Sequence, residues 1–283
     1  VAGGRTVGVA ENPTTQGARQ GSTTSHPFLV RNIVRTIVII GASNVTFSLP
    51  VIWSTLRQSL NDPFRLMVAA GHGRSFGIPS TVLGRTLPSI LECGLWESLE
   101  RLNSSTTHAL VTDVGNDLLY GVDATQTMSW VTETIDRLES QASNILVTGL
   151  PIESLRGLSA RRFDFFRRLM FPRSNLAFEC ALSESDAIHR QLLETGGNQA
   201  VTNLVPEERW YGLDPIHIRR RCRREAWNRY LSLCLPDVNL TSCGLVPDFS
   251  AWRGCAERRW KRSRLLTSQQ PTQTDHGNEL WLY

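Results

Sequence analysis

The run Thr36-Ile-Val-Ile-Ile40 constrains this chain most: it is unbroken, β-branched and ends in Gly41-Ala-Ser-Asn44. Such a run suits a strand buried on both faces, as in a parallel sheet, better than a half-exposed hairpin strand. Phe47 to Leu60 then reads as a helix. Phe64 to Ala70 is a second strand, closed by Gly71-His-Gly-Arg-Ser-Phe-Gly77. Thr107 to Thr112 is a third, closed by Asp113-Val-Gly-Asn-Asp117, and Asn144 to Thr148 a fourth, closed by Gly149-Leu-Pro151. A fifth, shorter strand is expected near Ala200 to Leu204. Between them lie helical patterns at Leu83–Leu102 (interrupted at Pro88 and Gly94), Thr125–Gln141 and Ser183–Glu194. Asp214 to Leu233 predicts the last helix, with Asp-Pro as N-cap and first-turn residue.

Strands alternating with helices predict an α/β fold with a parallel sheet covered on both faces. In such sheets reacting groups gather beyond the carboxyl ends of the strands. The polar, glycine-bearing segments follow strands one, two and three, and an Asp214-x-x-His217 pair follows the fifth. All four are expected on one rim.

The chain has 283 residues, enough for one sizeable α/β domain with extra elements. Residues 1–30, rich in Gly, Thr, Ser and Gln, predict a flexible arm. The catalytic-domain pattern runs over 31–235, with an insertion at 152–182. Residues 236–283 are expected as a C-terminal extension that becomes a polar tail from about 265. No apolar run is long enough to span a bilayer and no export signal is visible, which points to a cytoplasmic protein. Six cysteines lack C-x-x-C or zinc-ligand spacing, so reduced thiols and no metal are expected.

Lys261 is the only lysine, so arginine supplies almost all the positive charge behind a net +4. Genome composition and a surface that pairs anions bidentately both fit that bias. Six arginines in 156–173 alternate with Leu, Phe and Met, which suits either a lid able to rest on an anionic membrane or an amphipathic helix on the core. Arg219, Arg220, Arg221, Arg223 and Arg224 suit a solvated helix face or an anion site.

Ser43, on a tight strand-to-helix turn, has its hydroxyl at the sheet edge and its N–H at a helix N-terminus, where negative charge is favoured. A helix cap would look the same. Asp214 and His217, three residues apart, can meet, and the carboxylate would then fix the imidazole tautomer. The Asn116 side-chain amide can donate to an oxyanion. Gly73 lets a backbone N–H approach closely. Trp210, Tyr211 and Arg74 are candidates for the substrate wall.

Ser43, Gly73, Asn116 and Asp214-x-x-His217, in that order and each after a strand, resemble the four blocks of the SGNH/GDSL hydrolases over roughly residues 35–233. The resemblance implies a three-layer α/β/α sandwich, flavodoxin-like, around a parallel five-stranded sheet. It also implies a carboxylic ester hydrolase working through an acyl-enzyme, without cofactor. Ser43 would be the nucleophile, His217 the base and Asp214 its orienter, with an oxyanion hole of Ser43, Gly73 and Asn116. The family's Gly-Asp-Ser is Gly41-Ala-Ser43 here, and Gly-x-Asn-Asp is Val114-Gly-Asn-Asp117. Gly71 and Gly77 compete with Gly73 for the second block; Gly-Arg-Ser resembles that block in the carbohydrate-acetylesterase branches. A small-molecule, carbohydrate or lipid ester is the implied partner. Acyl transfer to another alcohol, or a fold kept as a binding module for an anionic partner, would use the same residues. A nucleotide is not expected, because neither phosphate-binding glycine motif is present, and retention of all four blocks argues against a nucleic acid docked through the arginines.

Overall fold

In the computed structural model the described residues are 33, 35–82, 84–102, 106–195, 200–241, 259–260 and 269–283. The expected arm at 1–30 lies outside them. The first strand, β1 (Arg35–Ile40), leads into helix α1 (Ser43–Ser59), followed by β2 (Phe64–Ala69). A small hairpin of β3 (Ser80–Val82) and β4 (Arg85–Leu87) precedes α2 (Leu95–Arg101) and β5 (Thr106–Val111). Then come α3 (Ala124–Glu139), β6 (Asn144–Thr148), α4 (Ile152–Arg156), α5 (Ala160–Met170), α6 (Phe178–Glu194) and β7 (Val201–Leu204). The chain continues through α7 (Arg223–Cys234), β8 (Arg259–Trp260), β9 (Gln273–Asp275) and β10 (Asn278–Leu282).

The main sheet runs β7-β6-β5-β1-β2-β10-β9. Its first five strands are parallel, with β1 at the point where strand order reverses. This is the flavodoxin-like order, which opens a crevice beyond the carboxyl ends of the strands. Alternation along β1 assigns the two layers. Ile37 and Ile39 pack with Ile52 and Trp53 of α1 and Trp227 and Leu231 of α7. Val38 and Ile40 pack with Leu95 of α2, Val131 of α3 and Ile188 of α6.

The sheet has seven strands rather than the expected five. β10 joins β2 in parallel and β9 closes back antiparallel, so the stretch read as a polar tail completes the sheet. Its Leu280 and Leu282 enter the α1/α7 layer, while Trp281 and Tyr283 face the other. Arg65 of β2 pairs with Glu279 at 2.7 Å across the new edge. A strand of five residues behind a long polar stretch leaves little periodicity to read.

Two helix expectations also shift. Leu83 to Leu102 is helical only from Leu95, because Gly84 takes φ +80° and turns the chain into the β3–β4 hairpin. The Asp214–Leu233 helix begins only at Arg223. The N–H of Ile218 is drawn to Asn44 Oδ1 at 2.8 Å and that of Arg219 to the Trp210 carbonyl at 2.8 Å. These tertiary bonds replace the i→i−4 bonds a helix would need.

Cys93, Cys180, Cys222 and Cys234 are free thiols, and Cys243 and Cys255 lie outside the described residues. No described helix is long and apolar enough to cross a membrane.

His108, in the middle of β5, is 5% exposed. Burial holds its imidazole below the ordinary histidine range and Arg35 adds to this, against Asp237 and the Cys234 backbone. A histidine kept neutral by folding contributes stability above its unfolded value of ~6.5, and that contribution is lost as pH falls further. The chain is therefore expected to melt at a lower temperature at pH 5 than at pH 7, with His108→Phe narrowing the gap. An equal gap in the variant would contradict this reading of His108.

Candidate active site

Ser43 opens α1 directly after the β1 turn, and its side chain meets His217 with Nε2 at 2.7 Å from Oγ. On the far side of the ring, His217 Nδ1 lies 2.6 Å from Asp214 Oδ2. Asp214 Oδ1 accepts the N–H groups of Ile216 and His217, both at 3.2 Å, so the aspartate shapes the loop that carries its own histidine. Burial pushes the Asp214 carboxyl up, but the hydrogen bond and charge of His217 and the two backbone N–H groups outweigh it and hold it below the ordinary range. Asp214 is thus a carboxylate at neutral pH, and Nδ1 carries the proton that points at it. In the neutral ring that leaves Nε2 with its lone pair toward the serine hydroxyl.

The turn that holds Ser43 is built by two residues that local sequence pattern does not single out. Asp113, at the end of β5, accepts the N–H of Ala42 at 3.0 Å and of Asn44 at 2.8 Å on Oδ2, and Asn44 Nδ2 at 2.8 Å on Oδ1. The same Nδ2 donates to the Ile216 carbonyl at 2.9 Å, while Asn44 Oδ1 accepts the Ile218 N–H. Asn44 therefore ties the Ser43 turn to both sides of His217. Asp113 occupies the left-handed region at φ +57°, where Asp and Asn are tolerated better than most residues. Burial raises its carboxyl, against the hydrogen bonds from Asn44 and Ala42 and the His217 charge. Asp113 stands 71 residues from Ala42, a pairing no local pattern reports.

Phe47 backs the histidine: its ring lies edge-on at 5.4 Å from the His217 ring and 4.7 Å from that of His72. Arg223, from the arginine run, stacks on Phe47 at 4.8 Å and donates to its carbonyl and to that of Ile218. Arg219 donates to the Arg209 carbonyl. Both arginines brace the histidine loop.

Gly73 and Asn116 line one cleft with Ser43, Asp214 and His217, whereas Gly71 and Gly77 do not. Gly73 has φ +62°, and a Cβ there would stand 2.6 Å from Val82, so glycine fits best. Its carbonyl accepts the Tyr120 hydroxyl at 2.8 Å. Asn116 Nδ2 lies 3.3 Å from the Arg74 carbonyl. Fully buried Asp117 accepts the Ser75 hydroxyl and the Phe76 N–H, pinning the second turn to the third.

Two of the expected wall residues sit elsewhere. Arg74 is fully buried, and its guanidinium donates to the carbonyls of Pro88 and Ala70 and to the Tyr283 main-chain oxygen, so it braces the sheet end. Trp210 is fully buried against Tyr230 in the α1/α7 layer. Tyr211 alone of the three lines a cavity that contains Ser43.

Residues of the segment 152–182 line the crevice. Helix α5 buries no residue completely, yet turns Phe163, Phe166 and Met170 toward the cleft holding His217. Arg162 joins α5 to the histidine loop through the Leu213 carbonyl at 2.5 Å. Among the described residues no His, Cys, Asp and Glu cluster is arranged for a metal ion.

No family model matches the chain, and no curated protein matches it. Among solved structures it is similar to a member of the lipolytic protein G-D-S-L family from Veillonella parvula, at 11% identity over 71% of this chain and 98% of that one, with TM-score 0.44. It is similar also to the psychrotrophic esterase EstA from Pseudoalteromonas sp., in a structure inhibited by monoethylphosphonate, at 12% identity over 70% and 95%, TM-score 0.44. A third, TesA, gives 14% identity over 71% and 98%, TM-score 0.38.

Proposed function

We propose that this chain is a serine ester hydrolase of the SGNH/GDSL type, acting through an acyl-enzyme. One observation carries the reading: the unbroken relay Asp214–His217–Ser43, with links of 2.6 and 2.7 Å. A helix-capping serine would not need a histidine at hydrogen-bond distance backed by a carboxylate.

Ser43 Oγ attacks the ester carbonyl as His217 Nε2 takes its proton, and Asp214 stabilises the imidazolium. The oxyanion is received by the N–H groups of Ser43 and Gly73 and by Asn116 Nδ2. The N–H groups of Ala42 and Asn44 are already given to Asp113. His217 hands its proton to the leaving alcohol as the ester C–O bond breaks. Water then repeats the sequence on the acyl-serine and releases the acid.

The outward face of α5, with Phe165 and Leu169 63% and 61% exposed beside Arg161 and Arg168, suits contact with an anionic lipid surface.

The direct test is turnover of p-nitrophenyl butyrate by the purified chain. Absence of turnover in folded protein, together with no binding of a butyl phosphonate, would overturn the proposal. Asn116→Ala is expected to lower kcat by roughly 10²–10³-fold with little change in KM, as for loss of one oxyanion donor. An unchanged kcat would remove Asn116 from the oxyanion hole.

A further inference from the structure

Two apolar cavities meet at Ser43 and share Asn116, Leu119, Leu155, Phe163 and Ile216 as a common wall, and the mechanism gives them different occupants. The first contains Ser43, His217, Asp214 and Gly73 and lies beneath α5. The second contains Ser43, Asn116 and Tyr211, and His217 does not line it. His217 must reach the leaving oxygen to protonate it, so the leaving group belongs in the first cavity. The acyl chain, which never receives that proton, belongs in the second.

From this, and resting on the serine-ester reading above, we infer that the second cavity is an acyl pocket for a medium-length, unbranched fatty acyl chain. Its wall is drawn from Val114, Leu118, Leu150, Leu176, Phe178 and Ala181. Four of the polar side chains that touch it are committed to one another: Thr148 donates to Thr112 at 2.7 Å, and the Asn44 amide to Asp113 at 2.8 Å. A sugar ring would lose water there and find few free partners, whereas a hydrocarbon chain loses nothing. The leaving-group cavity is similarly lined by Leu158, Phe163, Phe166, Met170 and Phe171. An acetylated carbohydrate therefore fits neither side well.

The length follows from the sheet. The cavity begins at Ser43 after β1, passes Thr112 and Thr148 at the ends of β5 and β6, and reaches Pro206 beyond β7. Three strand spacings span about 14 Å, room for an extended chain of roughly eight to ten carbons. Ala181, Leu182 and Ser185 of α6 form part of its wall. Ala181 is the smallest of these side chains, so a larger residue there shortens the space.

The test is a p-nitrophenyl series of acetate, butyrate, octanoate and hexadecanoate on the full chain. Burial of each methylene favours the longer ester by up to about fourfold. kcat/KM is expected to rise at least ~10-fold from acetate to octanoate and to fall again at hexadecanoate. Ala181→Phe should lower the octanoate-to-acetate ratio at least ~10-fold, and Leu182→Phe, an independent wall change, should lower it too. Thermal melts establish that each variant is folded, and if one is not, the other decides.

A profile that favours acetate or hexadecanoate, or an octanoate preference that a folded wall variant leaves intact, would overturn the acyl pocket. Turnover of some ester would still leave the serine-ester reading standing in that case. No turnover of any ester, with no phosphonate on Ser43, would overturn the reading beneath it as well.

Discussion

Ser43→Ala is expected to lower kcat by roughly 10⁴–10⁶-fold while the protein stays folded, since a nucleophile and its base act as one unit. The side chain is small and 8% exposed, and its hydroxyl bonds His217 alone among the contacts that position the ring. Removing the oxygen leaves Asp214, Asn44 and Phe47 holding the imidazole, so the loss is chemical rather than structural. His217→Ala should be about as damaging. The double variant should be no worse than either single one, because neither partner works without the other. Asp214→Asn should cost less, roughly 10³-fold, against the ~10⁴ seen for a fully buried orienting aspartate. The Asp214 side chain is 43% exposed, so water can replace part of what the carboxylate does. Steady-state kinetics on a soluble ester give all four numbers. A Ser43→Ala protein with more than a few per cent of the parent rate would contradict the assignment.

The second large effect belongs to Asp113. Asp113→Asn keeps the shape and tolerates φ +57° equally well, yet it places an amide where a carboxylate now receives donors on both oxygens. One donor must face another, and the relief is for Asn44 to turn, which breaks its bonds to Ile216 and Ile218. The Ser43 turn and the His217 loop then lose their common tie. Misplacement by about 1 Å can cost ~10²-fold in rate, so kcat is expected to fall by that order with KM little changed. Asn44→Ala removes the same tie from its other end. The two substitutions should therefore be strongly non-additive in a double-mutant cycle. Additive losses, or a rise in KM with kcat intact, would show that Asp113 and Asn44 act separately from the relay.

Much of this site could be read from the sequence because it depends on strand ends. A β-branched run followed by a small polar turn places its residues on the rim whatever the helices do, and Ser43, Gly73 and Asn116 all follow strand runs. The parallel order followed from strand–helix alternation. What escaped was set by distant partners. β10 was hidden because five residues behind a polar stretch carry too little alternation, although Arg65 and the open edge of β2 were waiting for it. Arg74 and Trp210 looked like site residues because their sequence neighbours are, but their own side chains turn inward to carbonyls and to Tyr230. Asp113 lies in the block that carries Asn116, yet its partners sit 69 to 71 residues earlier and no periodicity links them. The start of α7 is likewise set at a distance: the N–H groups of Ile218 and Arg219 are spoken for elsewhere in the fold.

The central claim is that Ser43 is a nucleophile activated by His217. The measurement that tests it most directly is intact-protein and peptide mass spectrometry after exposure to an alkyl p-nitrophenyl phosphonate. One phosphonyl group per chain, located on Ser43 and absent in His217→Ala as in Ser43→Ala, is the result this account predicts. A folded protein that takes up no phosphonate, or takes it up on another residue with equal speed in the His217→Ala variant, would contradict it.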